Sequence, residues 1–247
     1  RAALVFMISG MGLHPDALWM LKRVGIQAVI LFTESPYSAD EQREFHAVYP
    51  EMKCFTNERI SAEGGWVYIP HSYDRAIHQP VQCQKRYDVL MIGTLWRERI
   101  WLLEQVDWTG INAEFIGTWA GPPTVEESPV GQFYSDQLVH NADAPRYYGA
   151  TKICLNAYRE HPTAESLNPR AFELAACRAF QLTNYRAELD EVFGENGGSS
   201  VATFASAGDL EAQIRYWLTR DEEREEWIDR AHQRVQPCTF DERLGRI

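Results

Sequence analysis

Residues 165–173 read "ESLNPRAFE", and two glutamates, Glu165 and Glu173, bracket a helix start within this stretch. Asn168 suits the N-cap, Pro169 suits the first helical position, and "RAFELAAC" continues as helix. The spacing predicts a loop carrying Glu165, then a helix N-terminus, then Glu173 in the following turn. Backbone N–H groups at such an N-terminus, with its partial positive charge, suit a phosphate or diphosphate. Arg170 adds a formal positive charge in the same turn. Two carboxylates flanking an anion site suit a ligand with a phosphate centre and hydroxyl-rich groups on both sides, as in a sugar nucleotide. Acidic residues also favour a first helical turn through the dipole alone, so the spacing by itself leaves a plain helix start open.

Strands and helices alternate on both sides of this stretch. "ALVFMISG" reads as a buried strand ended by Gly10 and Gly12, "HPDALWMLKRVG" as a helix stopped by Gly25, and "QAVILFT" as a second strand. "SADEQREFHAVY" follows as a helix with Ser38 as its cap, then "MKCFTN" and "WVYIP" as short strands. Residues 71–85, "HSYDRAIHQPVQCQK", carry neither period and read as a linker. The alternation restarts with "YDVLMIG" as strand, "RERIWLLEQV" as helix and "NAEFIG" as strand. A Pro/Gly-rich loop, "TWAGPPTVEESPVG", leads to a short strand at "DQLVHN" and a helix at "ADAPRYYGAT". "KICLNAY" and "AFQLTN" are strands on either side of the helix at Asn168, with a short helix near "AELDEV" and three more helices to the C-terminus. Such alternation predicts an α/β chain with parallel sheets. It divides into two Rossmann-like lobes, 1–80 and 81–247. The first has only two strong and two weak strands. It is expected to be incomplete, and the chain, beginning at Arg1, to be a piece of a longer protein.

The net charge of −11 argues against a broad nucleic-acid or anionic-membrane surface, though not against a local basic pocket. The five cysteines (Cys54, Cys83, Cys154, Cys177 and Cys238) are widely spread, odd in number and lack a C-x-x-C. They favour reduced thiols and a cytoplasmic location, with Cys154 and Cys177 on buried faces. No apolar run reaches the length of a membrane span. The N-terminal "RAALVFMISGMGL" lacks a small-residue cleavage site.

The stretch "SLNPRAFELAACRAFQLTNYRAELDEVF" resembles the C-terminal domain of the CgeB-like, spore-maturation-type glycosyltransferases. These are relatives of the retaining GT-B enzymes whose donor site carries Glu, seven residues, Glu. "YIPHSYDRAIHQP" is similar to that family's interdomain segment, with Pro70, His71, Asp74, His78 and Pro80 in place. "YDVLMIGTLWRER" resembles the first strand and loop of the nucleotide-binding half, with Gly93 and Arg99 matching, and "TKICLNAYRE" the strand leading into the donor loop. The likeness runs from about Leu4 to Ile247. It departs at Arg178, where the family has Gly at the end of the donor helix, which points to a different cap geometry here. It departs also at Glu34, where the family more often has Asp.

The resemblance implies a GT-B fold and transfer of a sugar from a nucleoside-diphosphate sugar, a UDP-sugar being favoured, to an unknown acceptor. It implies Glu165, Arg99 and Arg170 as catalytic residues, and Glu173, Asn168, Gly93 and Thr94 as donor-binding residues. Gly10, Gly12, His14, Glu34 and His71 would face the acceptor. Retention of anomeric configuration is implied by the Glu pair alone. No cofactor is expected. No Asp-x-Asp, H-E-x-x-H or Cys/His grouping is present, so no metal is expected. Arg97 and Arg99 follow a strand end, where an arginine forks readily onto a diphosphate.

Other classes remain open at this level. Gly10-x-Gly12 with Glu34 is a partial dinucleotide fingerprint, in which Pro15 takes the place of the third Gly. A non-catalytic nucleotide-sugar-binding module fits the same pocket chemistry, and a nucleotide-sugar epimerase on the same fold would need acid/base residues across the cleft that the sequence does not place. Most of the aromatics in the second half read as core, and Trp119 beside the Pro/Gly loop is the best candidate among them for an exposed stacking surface.

Overall fold

The computed structural model describes residues 4–10, 12–62, 65–194 and 198–245. The chain falls into two compact units, Arg1–His71 with His161–Ser166, and Ser72–Glu160 with Leu167–Ile247. Residues 72–85 of the stretch read as a linker belong to the second unit. Residue 3 of the expected first strand, and 246 and 247 of the expected last helix, lie outside the described residues.

The first unit is built from β1 (Leu4–Ile8), α1 (Pro15–Arg23), β2 (Gln27–Phe32), α2 (Ala39–Val48), β3 (Lys53–Thr56), α3 (Arg59–Ala62) and β4 (Val67–Tyr68). Its four strands form a parallel sheet in the order β1-β2-β3-β4. Ala28, Ile30 and Phe32 alternate inward along β2, as the period of two requires, and meet Leu18 of α1 and Phe45 of α2. β1 is an edge strand with Leu4, Phe6 and Ile8 exposed. His14 is the N-cap of α1, its Nδ1 accepting the Asp16 N–H at 3.3 Å. Ser38 precedes α2 but makes no side-chain cap bond. The short helix α3 was not anticipated, because one turn is too brief to show a period.

The second unit contains β5 (Tyr87–Ile92), β6 (Leu95–Trp96), α4 (Arg97–Glu104), β7 (Ala113–Ile116), β8 (Trp119–Ala120) and β9 (Tyr134–Ser135), with a 3-10 turn at Pro129–Phe133. It continues through α5 (Ala144–Gly149), β10 (Thr151–Asn156), α6 (Pro169–Ala176), β11 (Gln181–Asn184), α7 (Glu188–Phe193), β12 (Ala202–Phe204), α8 (Ala207–Leu218), α9 (Asp221–Val235) and α10 (Phe240–Leu244). Six strands make one parallel sheet in the order β12-β11-β10-β5-β7-β9. The chain thus builds outward from β5 through β7 to β9, then returns to lay β10, β11 and β12 on the other side. The reversal falls between β5 and β10, the switch point at which open α/β sheets bind ligands beyond their strand ends. β6 and β8 pair separately.

The central strands read as near-continuous apolar runs because both sheet faces are covered. Val89, Met91, Phe115, Ile153, Leu155 and Leu182 share a core with Ile100 and Leu103 of α4 and Ile214 and Trp217 of α8. Trp227 packs at its margin against Trp217 and Phe180. Cys154 and Cys177 are buried, and all five thiols are free. The strand expected at "DQLVHN" is absent. Strand β9 lies just before it, and β12 was not anticipated from its short apolar content. Trp119 is half-buried, with Nε1 donating to the Gly121 and Pro123 carbonyls at 3.1 and 2.8 Å. It ties down the Pro/Gly loop instead of offering an open face.

Helix α9 supports α6. Ile228, Ala231 and Val235 form its buried stripe, and His232 Nδ1 lies 3.1 Å from the Ala175 carbonyl. The end of α6 corrects the expectation raised by Arg178. The Ala179 N–H donates to the Leu174 carbonyl at 2.9 Å and the Arg178 N–H to that of Ala175 at 3.2 Å. This is the Schellman pattern, and Arg178 sits in the left-handed region at φ 55°. The glycine geometry is therefore kept with an arginine in it. Its guanidinium pairs with Asp229, and with Glu225 at 3.8 Å, both on α9. Arg178→Ala removes these pairs and keeps the backbone strain, whereas Arg178→Gly removes both. Arg178→Gly should be more stable than Arg178→Ala by roughly 1 kcal/mol in denaturant melts. Equal stabilities would mean that the cap is unstrained.

Candidate functional site

A pocket of about 300 Å³ opens at the switch point of the second unit. Its walls come from the end of β5 and the following loop (Ile92, Gly93, Thr94, Trp96), from Arg99 of α4, from the end of β10 (Leu155, Asn156, Ala157) and from the start of α6 (Asn168, Arg170, Glu173). Six residues singled out in the sequence meet here: Gly93, Thr94, Arg99, Asn168, Arg170 and Glu173.

The floor depends on two glycines. Gly93 has φ +136°, which L side chains rarely adopt. A Cβ on Gly117 would lie 2.2 Å from the Gly93 carbonyl oxygen. The loops after β5 and β7 therefore nest backbone to backbone, and the Gly93 N–H donates to the Ile116 carbonyl at 2.8 Å.

The start of α6 is stitched to the end of β10. Asn168 is the N-cap, its side-chain oxygen accepting the Ala171 N–H at 3.1 Å. Its amide also exchanges two hydrogen bonds with that of Asn156, at 2.9 and 3.0 Å. Asn156 is buried and was missed in the sequence, where it reads as an interior position of the strand "KICLNAY". The loop before α6 is fixed just as tightly. The Leu167 N–H donates to Glu188 Oε2 at 2.6 Å, and Glu188 is buried at the start of α7.

Positive charge gathers around the pocket despite the acidic chain. Arg99 spans the two central strand ends, donating from Nε to the Ala157 carbonyl at 2.7 Å and from Nη1 to the Thr94 carbonyl at 2.6 Å. Arg170 donates to the Tyr148 hydroxyl, and its Nε lies 4.0 Å from Glu173 Oε2. Desolvation opposes the charge on Arg170, but Tyr148 and Glu173 outweigh it and its pKa is raised. Burial raises the Tyr148 hydroxyl well above the usual phenol range, so it stays a neutral partner. Arg159 lies over the Trp96 ring at 4.8 Å. The helix N-terminus offers fewer amides than its sequence suggests: Pro169 has none, and Ala171 is taken by Asn168. An anion here meets the helix dipole and two guanidinium groups.

The other expected residues lie in the first unit. Glu165 is exposed, on the segment His161–Ser166. Its backbone N–H donates to Glu58 Oε1 at 3.1 Å, and the Ser166 N–H to Glu58 Oε2 at 3.3 Å. Glu58 is buried beyond the end of β3. It was missed, although an acid directly after a parallel strand is the signal that marks it. Gly10 and Gly12 follow β1, Glu34 follows β2 and His71 follows β4, so all four lie beyond the C-terminal ends of one parallel sheet. Exposed His14 caps α1. Burial pushes the His71 imidazole down to about 4, so it is neutral at ordinary pH. Among the described residues no three of His, Cys, Asp and Glu converge to hold a metal ion, and no helix is long and apolar enough to cross a membrane.

The family model described as "Glycosyl transferase-like" matches residues 97–246. The spore protein CgeB of Bacillus subtilis (strain 168) is 25% identical over 255 residues, covering 94% of this chain and 77% of that protein. Two solved structures share the fold. Sucrose-phosphate synthase from Thermosynechococcus elongatus is 12% identical, covers 97% of this chain and 70% of its own, and has a TM-score of 0.68. T4 phage BGT, solved with its UDP-glucose substrate, is 16% identical, covers 93% and 76%, and has a TM-score of 0.59.

The Asn168 cap can be tested by stability alone. Asn168→Ala removes the cap and strands the buried Asn156 amide, so it should cost roughly 2 kcal/mol. Ser206, which caps α8 through a single bond to the Asp209 N–H at 3.2 Å, is the control. Ser206→Ala should cost only about 1 kcal/mol. Equal losses in denaturant melts would mean that the Asn156 pair contributes nothing.

Proposed function

The chain belongs to the glycosyl transferase-like family and is a CgeB-like glycosyltransferase of GT-B fold, and from that premise we propose that its second unit binds a nucleoside-diphosphate sugar in the pocket between β5, β10 and α6. The carrying observation is the convergence of Arg99, Arg170, the N-terminus of α6 and the buried carboxylate of Glu173 on that one pocket. Such a set fits a ligand with a diphosphate next to a hydroxyl-bearing ring. The UDP-glucose held by T4 phage BGT supports a uridine nucleotide as the first donor to test.

In this reading Glu173 accepts hydrogen bonds from the ribose hydroxyls, and Glu165 from those of the sugar. Gly93 and Thr94 let the phosphates approach the strand ends, and Asn168 fixes the helix that faces them. Transfer breaks the bond between the anomeric carbon and the diphosphate oxygen and forms one to an acceptor hydroxyl, whose proton passes to the departing diphosphate or to water. Negative charge grows on the departing diphosphate. Arg99, Arg170 and the helix dipole stabilise it there, so no metal is needed. The likeness to the Glu, seven residues, Glu enzymes supports retention of anomeric configuration. Gly10, Gly12, His14, Glu34 and His71 are proposed for the acceptor side, the glycine loop by the same resemblance.

Calorimetry with UDP and UDP-glucose tests the two glutamates separately. A hydrogen bond to a charged group is worth about 1.5–3 kcal/mol, so Glu173→Ala should weaken UDP roughly ten- to a hundredfold. Glu165→Ala should leave UDP bound nearly as in the parent, yet weaken UDP-glucose or slow transfer. If both variants bind both ligands like the parent, the pair is only helix-start chemistry. Sugar transfer or donor hydrolysis should also survive EDTA. Loss in EDTA with recovery on adding manganese or magnesium would contradict the metal-free reading.

A further inference from the structure

Behind the pocket, Glu173 faces a histidine that the reaction as described does not use. His78 is 3% exposed and closes a turn that begins at Asp74. The His78 N–H donates to the Asp74 carbonyl at 2.8 Å, and the Ala76 N–H to Asp74 Oδ1 at 2.8 Å. The Asp74 N–H in turn donates to His78 Nδ1 at 3.1 Å. A ring nitrogen that accepts carries no proton, so the neutral imidazole holds its proton on Nε2. That nitrogen is buried, with no hydrogen-bond partner among the described residues. It lies 3.8 Å from Glu173 Oε1, while Glu173 Oε2 lies 4.0 Å from Arg170 Nε.

Both separations exceed a hydrogen bond, and the carboxylate sits between two competing donors. Closing on Arg170, three residues earlier on the same helix, would neutralise the two charged groups that line the pocket. A small movement the other way pairs the buried Nε2–H, which is costly to leave unpaired.

We propose that His78 is a positioning residue that holds Glu173 Oε1 through its Nε2–H, keeping the carboxylate off Arg170 and open to ligand hydroxyls. The inference rests on the donor reading above and adds to it the group that keeps Glu173 and Arg170 apart. Its chemistry is a single fixed donor aimed from a rigid turn, as expected of a group that orients a binding residue.

Two variants separate positioning from packing. His78→Phe keeps a ring and has no donor, while His78→Gln restores an N–H near the position of Nε2. Both lose the acceptor for the Asp74 N–H, so both should lose similar thermal stability. Titrations would use whichever of uridine, guanosine, adenosine and thymidine diphosphate binds the parent best. His78→Phe should weaken that nucleotide roughly tenfold, about the worth of one hydrogen bond to a charged group, and His78→Gln should stay within about threefold of the parent. In a Glu173→Ala background, His78→Phe should cause no further loss. Unchanged binding in His78→Phe, or equal loss in His78→Gln, would overturn the assignment. A parent that binds none of the four overturns the donor reading and this one with it. If the parent binds and Glu173→Ala weakens binding while His78→Phe does not, only the role of His78 fails. Should His78→Phe not fold, nitrogen NMR of the parent ring decides. A proton on Nε2, with a resonance that moves in Glu173→Gln, is the expected result, and a proton on Nδ1 or an unmoved resonance overturns it.

Discussion

The paired amides of Asn156 and Asn168 join the last residue of a central strand to the first turn of the helix beyond it. The pocket in the second unit exists because this junction is fixed. β10 is buried along nearly its whole length and paired with β5 and β11 on its two edges, so whatever is bonded to its end takes its position from the sheet. Asn168 thereby fixes the start of α6, and α6 carries Arg170 and Glu173 to the same crevice that Arg99 reaches from α4. The far end of the helix is held as well, by the Schellman cap at Arg178 and by the stripe of α9. An amide pair suits this task because each partner both donates and accepts, so neither is left unsatisfied when buried.

The chain is acidic overall, yet the crevice is not. Two features reconcile these facts. The surplus carboxylates lie largely on solvated helix faces, such as Asp221, Glu222 and Glu223 in the first turn of α9, where they favour the dipole. Two buried carboxylates are committed to backbone amides: Glu188 to Leu167, and Glu58 to Glu165 and Ser166. Glu173 is the buried acid turned toward the pocket, and its neighbours are a guanidinium and an imidazole. Net charge thus says little about the sign of a site formed where strand ends and a helix N-terminus converge.

Much of this was legible in the sequence for a simple reason. Parallel strands buried on both faces are long apolar runs, and Asn-Pro before an amphipathic stretch marks a helix start whatever surrounds it. Gly93, Arg99, Asn168, Arg170 and Glu173 could be found because they sit at such boundaries. The features that escaped depend on partners far away in the chain. Asn156 and Glu188 have ordinary neighbours, and only folding brings them to residues 168 and 167. β9 and β12 are too short to show a period. At Arg178 a rule of residue preference failed, because the backbone bonds of the cap and the acids of α9 outweigh the steric cost of a side chain there.

Anchoring of this kind has an entropic side at Arg99. A long, flexible side chain normally loses about 2 kcal/mol of rotamer entropy when it is immobilised on a ligand. Arg99 is already immobilised by the Ala157 and Thr94 carbonyls, so that loss was incurred during folding. Its field at the strand ends is therefore set by the fold and is present before anything binds. An arginine held in this way behaves as a fixed electrode in the wall of the crevice, and the strands it bridges set its distance from whatever binds there.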